Sequence, residues 1–466
     1  MEVIPVGRES GKLSTSRVSR GGAVARVAVG QISRSVGTQV SSLGQPRDVR
    51  RSRSEQSAIA AAEQLVNVLG SMKGGAAKIG QMLSMVDMSS LPRAYREPFQ
   101  ERLSSLCDAV PEVEFRQMRR EMETSLGARL SVVFSDFDPD PVGSASIGQV
   151  YRATLRDGRD VAVKVKYPGI DQAVRADIKN LTAFLWFWRR VLPTVSTKAF
   201  IREVRDALEN ELAYETEAVN QHRVARMYRD HPFAYVPDSL AEYSSSNVLV
   251  TEWCDGVRFD PAGERDQAER DRLGEILFRF YVGGIYRNRE FCADPHLGNV
   301  LLRGDGTVGF IDFGAYKFMS PAEIAVEKDV WRAAVDNDAQ RLSNSLSEHG
   351  LITPDWSPDP ALLVEYAAHA YGWQTRDEVT NVRGVEEAIF QMFDPRAEEF
   401  GDFRRYLFPP AHLASRRVDL FTTTMLRGLD ASANWYAISA EWMADADPAT
   451  ELGHGEKEWA DSRRGR

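Results

Sequence analysis

Residues 290–316 read EFCADPHLGNVLLRGDGTVGFIDFGAY, and the fold is decided within them. Asn299 follows Asp294 by five positions, an apolar run leads to Gly304-Asp305-Gly306, and a second apolar run ends in Asp312-Phe313-Gly314. The flanks of the Asp-Gly pair are β-formers and the pair itself tolerates positive φ, so residues 300–311 are predicted to form a hairpin. Such a hairpin holds Asn299 and Asp312 at its two ends, close together in space.

Phosphoryl transfer from ATP asks a protein for oxygen ligands to Mg²⁺, positioned phosphates and an acceptor beside the incoming hydroxyl. An Asp and an Asn five apart, then a hairpin closing on Asp-Phe-Gly, supply those groups at the spacing of a kinase catalytic loop. Taken singly, Asp-Phe-Gly is also an ordinary turn tripeptide and DPHLGN an ordinary loop. Their order and the hairpin between them favour the catalytic reading.

The rest of the chain sets bounds on that reading. A length of 466 residues with 43% hydrophobic content is enough to bury one large core or two. The net charge of −9 argues against a nucleic-acid-binding body. Cys107, Cys254 and Cys292 lie far apart with no CxxC pair, so neither a disulfide framework nor a zinc site is indicated, and a reducing, cytoplasmic setting is expected. No apolar run approaches the roughly 20 residues of a membrane span, so the chain is expected to be soluble or peripheral on the inner face of the cell membrane.

Residues 1–53 are basic within an acidic protein, with Arg8, Lys12, Arg17, Arg20, Arg26 and Arg34 among many Ser and Gly. They lack the continuous apolar segment of a secretory signal. A flexible arm is one reading; a helical strip touching anionic lipid is the other. A capping box at Ser52 and Glu55 opens a helix carrying Ile59, Leu65, Leu69 and Met72, followed by KGGAAKIGQ at residues 73–81. Two glycines inside a helical pattern cost about 1 kcal/mol each relative to Ala, so a local reason is expected for them. Close helix packing with Lys78 reaching solvent would be sufficient.

Helices are then predicted over 92–106 and 111–126, and strands from Phe134 onward. Val142, Gly143, Ser144, Ala145, Ser146, Ile147, Gly148, Gln149 and Val150 form a small-residue loop ahead of a strand, an Asp157-Gly158 turn and the strand VAVK ending in Lys164. Backbone N–H groups of such a loop can approach phosphates, and a lysine in this strand can pair with the α- and β-phosphates. A structural hairpin with an outward lysine is the plainer alternative.

Residues 171–228 read as helical. They include the aromatic run FLWFW at 184–188, suited to core packing or to a membrane interface, and a glutamate-rich helix in which Glu217 is chosen as the partner of Lys164. NVLVTE at 247–252 is a buried-type strand whose end, Glu252 to Cys254, would offer backbone groups to an adenine. Residues 269–287 read as an amphipathic helix, the chain is helical again to about Trp442, and residues 445–466 look like a disordered tail.

KGGAAKIGQ, VGSASIGQV, VAVKV, ELAYETEA, DPHLGN and DFG, in this order, resemble the UbiB/aarF-domain atypical kinases, and the actinobacterial members most. The resemblance covers about residues 55–350. It implies an α+β, two-lobed protein-kinase-like fold, with a small antiparallel N-lobe sheet, a helical C-lobe and a helical extension carrying Lys78 and Gln81 as the KxGQ signature. The implied boundaries are an arm to residue 53, the extension over 54–130, an N-lobe over 131–252 with a helical insertion, and a C-lobe over 253–444.

The resemblance also implies that Lys164 pairs with Glu217, that Asp294 is the catalytic-loop aspartate and that Asn299 and Asp312 hold Mg²⁺ on ATP. Glu211 matches the glutamate of the family's ExD signature, but Ala213 stands where its aspartate would be, and Leu297 stands where many relatives have proline. The expected activity is an atypical kinase or ATPase tied to isoprenoid quinone or lipid metabolism, with a lipid or quinone precursor as a partner and no nucleic acid. A small-molecule phosphotransferase and a nucleotide-gated binding protein without turnover are the alternatives.

Overall fold

The computed structural model describes residues 113–145, 147–188, 205–206, 208–259, 263, 265–352, 359–383 and 410–464. The basic arm, the KxGQ helices and Cys107 lie outside them. The chain divides into two compact units, the first containing the chain up to Arg159, Val163–Ala213 and Ser245–Val248, the second Asp160–Ala162, Tyr214–Ser244 and Leu249–Arg466.

The first unit begins with α1 (Phe115–Leu126), which ends at Gly127 in the left-handed conformation (φ 65°), and a single turn α2 (Leu130–Val133). Strands β1 (Phe134–Phe137), β2 (Gly143–Ala145), β3 (Gly148–Leu155) and β4 (Asp160–Lys166) follow. They pair in the order β1-β3-β4, with β2 also on β3. Alternation along β4 places Val161, Val163 and Val165 on a fully buried face and leaves Lys164 half-exposed. Helix α3 (Ile170–Trp188) follows; the side chains of its aromatic run lie outside the described residues.

The segment expected to be a phosphate loop is a hairpin. Gly143 pairs with Val150, Ser144 with Gln149 and Ala145 with Gly148, so backbone pairing runs up to Ile147; Ser146 lies outside the described residues. The small residues that would let a loop approach phosphates also let two strands pair tightly, and backbone pairing takes most of the segment.

The second unit opens with α4 (Tyr214–Met227) and β5 (Ala234–Tyr235), continues through β6 (Val248–Glu252), whose first residue belongs to the first unit, and β7 (Val257–Arg258), and then forms α5 (Gln267–Asn288). Side chains from Leu273 to Tyr286 of α5 are all buried, so this helix is the axis of the unit rather than an amphipathic surface element. After it come β8 (Glu290–Cys292), β9 (Val300–Leu302), β10 (Val308–Phe310) and β11 (Tyr316–Phe318).

The predicted hairpin is present: Val308 faces Leu302 and Phe310 faces Val300, with Gly306 at φ 82° in the turn and Asp305 accepting the Thr307 N–H at 2.9 Å. β5 and β7 extend it to a four-stranded sheet in the order β5-β10-β9-β7. Phe310 stacks on Phe280 of α5 with ring centres 3.5 Å apart, which seats the hairpin on the helix.

The remaining helices are α6 (Pro321–Val335), which starts with a capping box at Ser320 and Glu323, α7 (Ala339–Glu348) and α8 (Pro360–Thr375). A two-residue pairing of β12 (Thr380–Asn381) with β13 (Ser432–Ala433) brackets α9 (Pro410–Leu429), and α10 (Trp435–Met443) follows.

Two boundaries differ from the sequence expectation. Residues 445–466 are not a tail: α11 (Glu451–Arg464) folds back onto the unit. Its Glu456 is buried against Arg287, His231 (3.1 Å) and Arg279 (3.1 Å), and Arg279, with no exposed surface, also pairs with Glu441 at 2.7 Å and Glu275 at 2.6 Å. Trp459 donates to the Arg229 carbonyl at 3.0 Å, and Arg463 donates to carbonyls at the end of α4. A polar helix docked through ion pairs and carbonyl caps carries no apolar stripe, which is why its composition reads as disorder. The boundary expected at Glu252 also shifts, since residues 214–244 group with the second unit. There the Asn220 side chain on α4 donates to the Phe313 carbonyl at 3.2 Å.

Candidate active site

In the second unit the two ends of the β9–β10 hairpin and the turn before it bring the polar groups together. Leu297–Asn299 is one 3₁₀ turn, capped where His296 Nδ1 accepts the Gly298 N–H at 3.0 Å. A Cβ at Gly298 would lie 2.8 Å from that ring nitrogen, so the cap requires glycine. The Asn299 N–H donates to the His296 carbonyl at 3.0 Å, and its own carbonyl accepts the Ile311 N–H at 3.2 Å. With both backbone groups committed, the side-chain amide is the part of Asn299 left for ligand chemistry.

Asp312 is half-buried, and its Oδ1 accepts the Gly314 N–H at 3.1 Å. Glu217, only 2% exposed, approaches the same glycine: a Cβ on Gly314 would lie 3.6 Å from Asp312 Oδ1 and 3.7 Å from Glu217 Oε2. The two carboxylates therefore approach the same space, which a side chain at residue 314 would occupy. Asn220, one turn after Glu217, fixes the helix to Asp-Phe-Gly through its bond to the Phe313 carbonyl.

Asp294 sits in the loop between β8 and the 3₁₀ turn. Pairing of β8 with β11, Cys292 opposite Tyr316, continues into an Ala293 N–H to Ala315 carbonyl bond of 2.7 Å, which ties the loop to the residue after Asp-Phe-Gly. Cys292 Sγ donates to the Asp312 carbonyl at 3.5 Å. Beneath lies Tyr281 of α5, 3% exposed, its hydroxyl hydrogen-bonded to the His296 backbone. Burial first, then the neighbouring Cys292, Asp312 and Asp294, hold its ionisation far above the usual phenol range, so the hydroxyl stays neutral beside both carboxylates.

The Asp312 carboxylate and the Asn299 amide are hard oxygen donors, the type suited to Mg²⁺. Among the described residues no three His, Cys, Asp or Glu side chains form a metal cage of their own.

The other sequence-derived positions fall as follows. On β4 of the first unit, Lys166 is buried with Nζ 3.1 Å from Asp171 Oδ1 and 3.4 Å from Asn247 Oδ1, leaving Lys164 as the half-exposed lysine of the strand. Ile147 and Gln149 of the hairpin are buried, and Gln149 accepts the Tyr151 hydroxyl at 2.7 Å, so these two side chains pack inward rather than facing a ligand. Gly143, Ser144, Ala145 and Val142 keep exposed surface, while Gly148 and Val150 are strand residues of β3.

At the end of β6, Glu252 spends its N–H on the Asp238 carbonyl at 2.8 Å, and its carboxylate accepts the Asp238 N–H at 3.0 Å. Cys254 is buried against Gly309 of the hairpin, and burial pushes its thiol up to about 11. Of the backbone groups expected to face an adenine, the Glu252 N–H is therefore used internally. Glu211 is half-buried in the first unit, next to an Ala213 whose N–H donates to the Asn210 carbonyl at 3.0 Å. Lys78, Gln81 and Ser146 lie outside the described residues.

Sequence reasoning did not single out Asn220, Tyr281 or Arg417. Asn220 was accessible, because it lies at i+3 from Glu217 on the same helix face; Arg417 gave no local signal.

The model of the ABC1 atypical kinase-like domain matches residues 105–346. The mitochondrial atypical kinase coq-8 of Caenorhabditis elegans is 32% identical over 297 residues, covering 63% of this chain and 39% of that protein. The mitochondrial atypical kinase COQ8B of Rattus norvegicus is 29% identical over 63% of this chain and 55% of its own length. The chain thus spans about 40–55% of the length of these two curated relatives. Among solved structures, Rv3197 of Mycobacterium tuberculosis, determined in complex with erythromycin, aligns with a TM-score of 0.61 and 32% identity over 82% of this chain and 95% of that one. The family model covers more than half of the sequence and includes the whole hairpin that carries Asn299 and Asp312; the chain belongs to the ABC1/UbiB atypical kinase-like family and has its two-lobed α+β kinase-like fold.

Proposed function

We propose that the protein binds Mg·ATP and transfers or hydrolyses its γ-phosphate. The observation that carries this reading is the approach of Asp312 and Glu217 to the same Cβ position of Gly314, just after the hairpin whose other end is Asn299. Asp312 and Asn299 would hold Mg²⁺, which when bound neutralises the phosphate oxygens. Lys164 would pair with the α- and β-phosphates and with Glu217, and the β2–β3 hairpin would cover the phosphates. Asp294 would orient a water or an acceptor hydroxyl for in-line attack on the γ-phosphate and accept its proton, as the new P–O bond forms and the bond to the leaving ADP breaks. The names of the curated relatives place them among atypical kinases, and an acceptor or effector in isoprenoid quinone or lipid metabolism is the extension of that likeness to this chain.

The test is phosphate release from Mg·ATP with and without anionic liposomes. Asp294→Asn should lower turnover about 10²–10⁴-fold while leaving nucleotide affinity within a factor of a few. Turnover equal to wild type would remove Asp294 from its role. A second reading, nucleotide-gated binding without turnover, is favoured by Ala213 in place of the aspartate of the ExD signature. Saturable Mg·ATP binding with no phosphate release under any of these conditions would select it.

A further inference from the structure

The loop that carries Asp294 is held from a helix more than a hundred residues away in sequence. Arg417, on α9, donates from Nε at 3.0 Å and from Nη2 at 2.6 Å to the carbonyl of Ala293. The Ala293 N–H is meanwhile spent on the Ala315 carbonyl at 2.7 Å. Ala293 itself has no exposed surface. Both sides of the residue just before Asp294 are therefore fixed, one to the segment that follows Asp-Phe-Gly and one to α9.

A bidentate guanidinium on a single carbonyl sets the direction of that carbonyl. It thereby sets the peptide plane through which Asp294 is attached, since the peptide unit is planar and turns as one body about ψ of Ala293. A hydrogen bond from a charged donor in a half-buried site is strong enough to bias two orientations of one peptide by about one to two orders of magnitude. Lysine, with a compact ammonium, cannot reproduce the two bonds that converge on this oxygen from a fixed fork.

The neighbour of Arg417 has a different task. Arg416 binds Glu327 of α6 at 2.6 Å and the Tyr286 hydroxyl at 3.2 Å. It braces α9 within the helical layer, so that Arg417 projects from a fixed base.

We propose that Arg417 is a positioning residue for the Asp294 loop: it fixes the Ala293–Asp294 peptide and so aims the aspartate at the reacting group. The proposal rests on the assignment of Asp294 above. Full-length Arg417→Ala and Arg417→Lys are compared with wild type in two assays, one of which does not depend on turnover.

In amide hydrogen exchange, residues 290–299 should exchange at least about tenfold faster in both variants, while α5 and the β9–β10 hairpin keep wild-type protection. In phosphate release, kcat should fall at least about tenfold with KM for Mg·ATP unchanged, and guanidinium ion should restore part of kcat to Arg417→Ala. Wild-type exchange over residues 290–299 in Arg417→Ala overturns the proposal whatever the kinetics. So does a KM effect without a kcat effect, or a uniform loss of protection throughout the second unit, which would make Arg417 a general stabiliser. A wild type that hydrolyses no ATP refutes the assignment of Asp294, and the exchange result then still decides whether Arg417 holds the loop.

Discussion

Replacing Gly309 by alanine tests how the hairpin is seated behind the site. A Cβ at this position would lie 2.5 Å from Cys254 Sγ, while its next neighbours, Arg303 Cδ and Leu301 Cβ, are at an unobstructed 3.6 Å. Non-bonded carbon–carbon contacts settle at about 3.5–4.0 Å, and sulfur needs no less, so the methyl group arrives at least about 1 Å too close. β10 cannot retreat easily, because it is paired with β5 on one side and β9 on the other. The strain therefore falls on Cys254, which is buried.

Overpacking of this kind costs about 1–3 kcal/mol. Cys254→Ala removes the obstructing atom at about 1 kcal/mol of lost burial and packing. In the double variant the methyl enters the space of the sulfur, so the two costs should not add. A coupling of about 1–2 kcal/mol in the favourable direction is expected. Urea denaturation of the wild type, both single variants and the double variant, followed by tryptophan fluorescence, measures it. Additive losses would show that Cys254 does not face Gly309, and the packing of the residues after β6 against the hairpin would have to be redrawn.

The docking of α11 should weaken in acid. Burial lowers the His231 pKa from 6.5, so the unfolded chain binds that proton first and stability falls as pH drops through about 6.5. Burial alone would raise Glu456, but Arg287, the His231 hydrogen bond and Arg279 outweigh it and hold it at about 2, below 4.5, so its contribution is full above pH 4.5 and lost towards 2. Hydrogen exchange of α11 at pH 7 and at pH 4.5, corrected for intrinsic rates, should show the helix opening first at the lower pH; unchanged protection would contradict this. Glu456→Gln at pH 7 should cost about 3 kcal/mol or somewhat less, because one charge is removed from a buried network that keeps two other carboxylates around Arg279, and a denaturation midpoint within error of wild type would refute it. Asn220→Leu should leave the Phe313 carbonyl unpaired, cost about 1–3 kcal/mol in urea denaturation and weaken Mg·ATP binding, since α4 and Asp-Phe-Gly are joined there; wild-type values for both would remove Asn220 from this role.

The hairpin was legible because its signals are local: a turn that needs positive φ at Gly306, flanked by β-formers, sets register without help from the rest of the chain. The same local logic identified α1, β4 with its half-exposed Lys164, and the helix of Glu217. It failed where partners are distant. Residues 451–464 look solvated until Arg279 and Arg287, on a helix far earlier in the chain, supply the charges that bury Glu456. Residues 142–150 were read as a loop because small residues permit both close approach to phosphate and tight strand pairing, and composition cannot separate the two. Arg417 left no trace because what it binds is a backbone carbonyl, which every residue possesses.

Isothermal titration of Mg·ATP into the wild type and into Asp312→Asn addresses the site most directly. The wild type should bind one nucleotide, be stabilised by about 2.7 kcal/mol at a hundredfold excess over Kd, and lose that affinity when Mg²⁺ is replaced by EDTA. Asp312→Asn should bind Mg·ATP at least about tenfold more weakly, through loss of one hard anionic ligand. Equal affinity of the two proteins, or binding indifferent to Mg²⁺, would contradict the assignment of Asp312 and Asn299 to a metal-bound triphosphate.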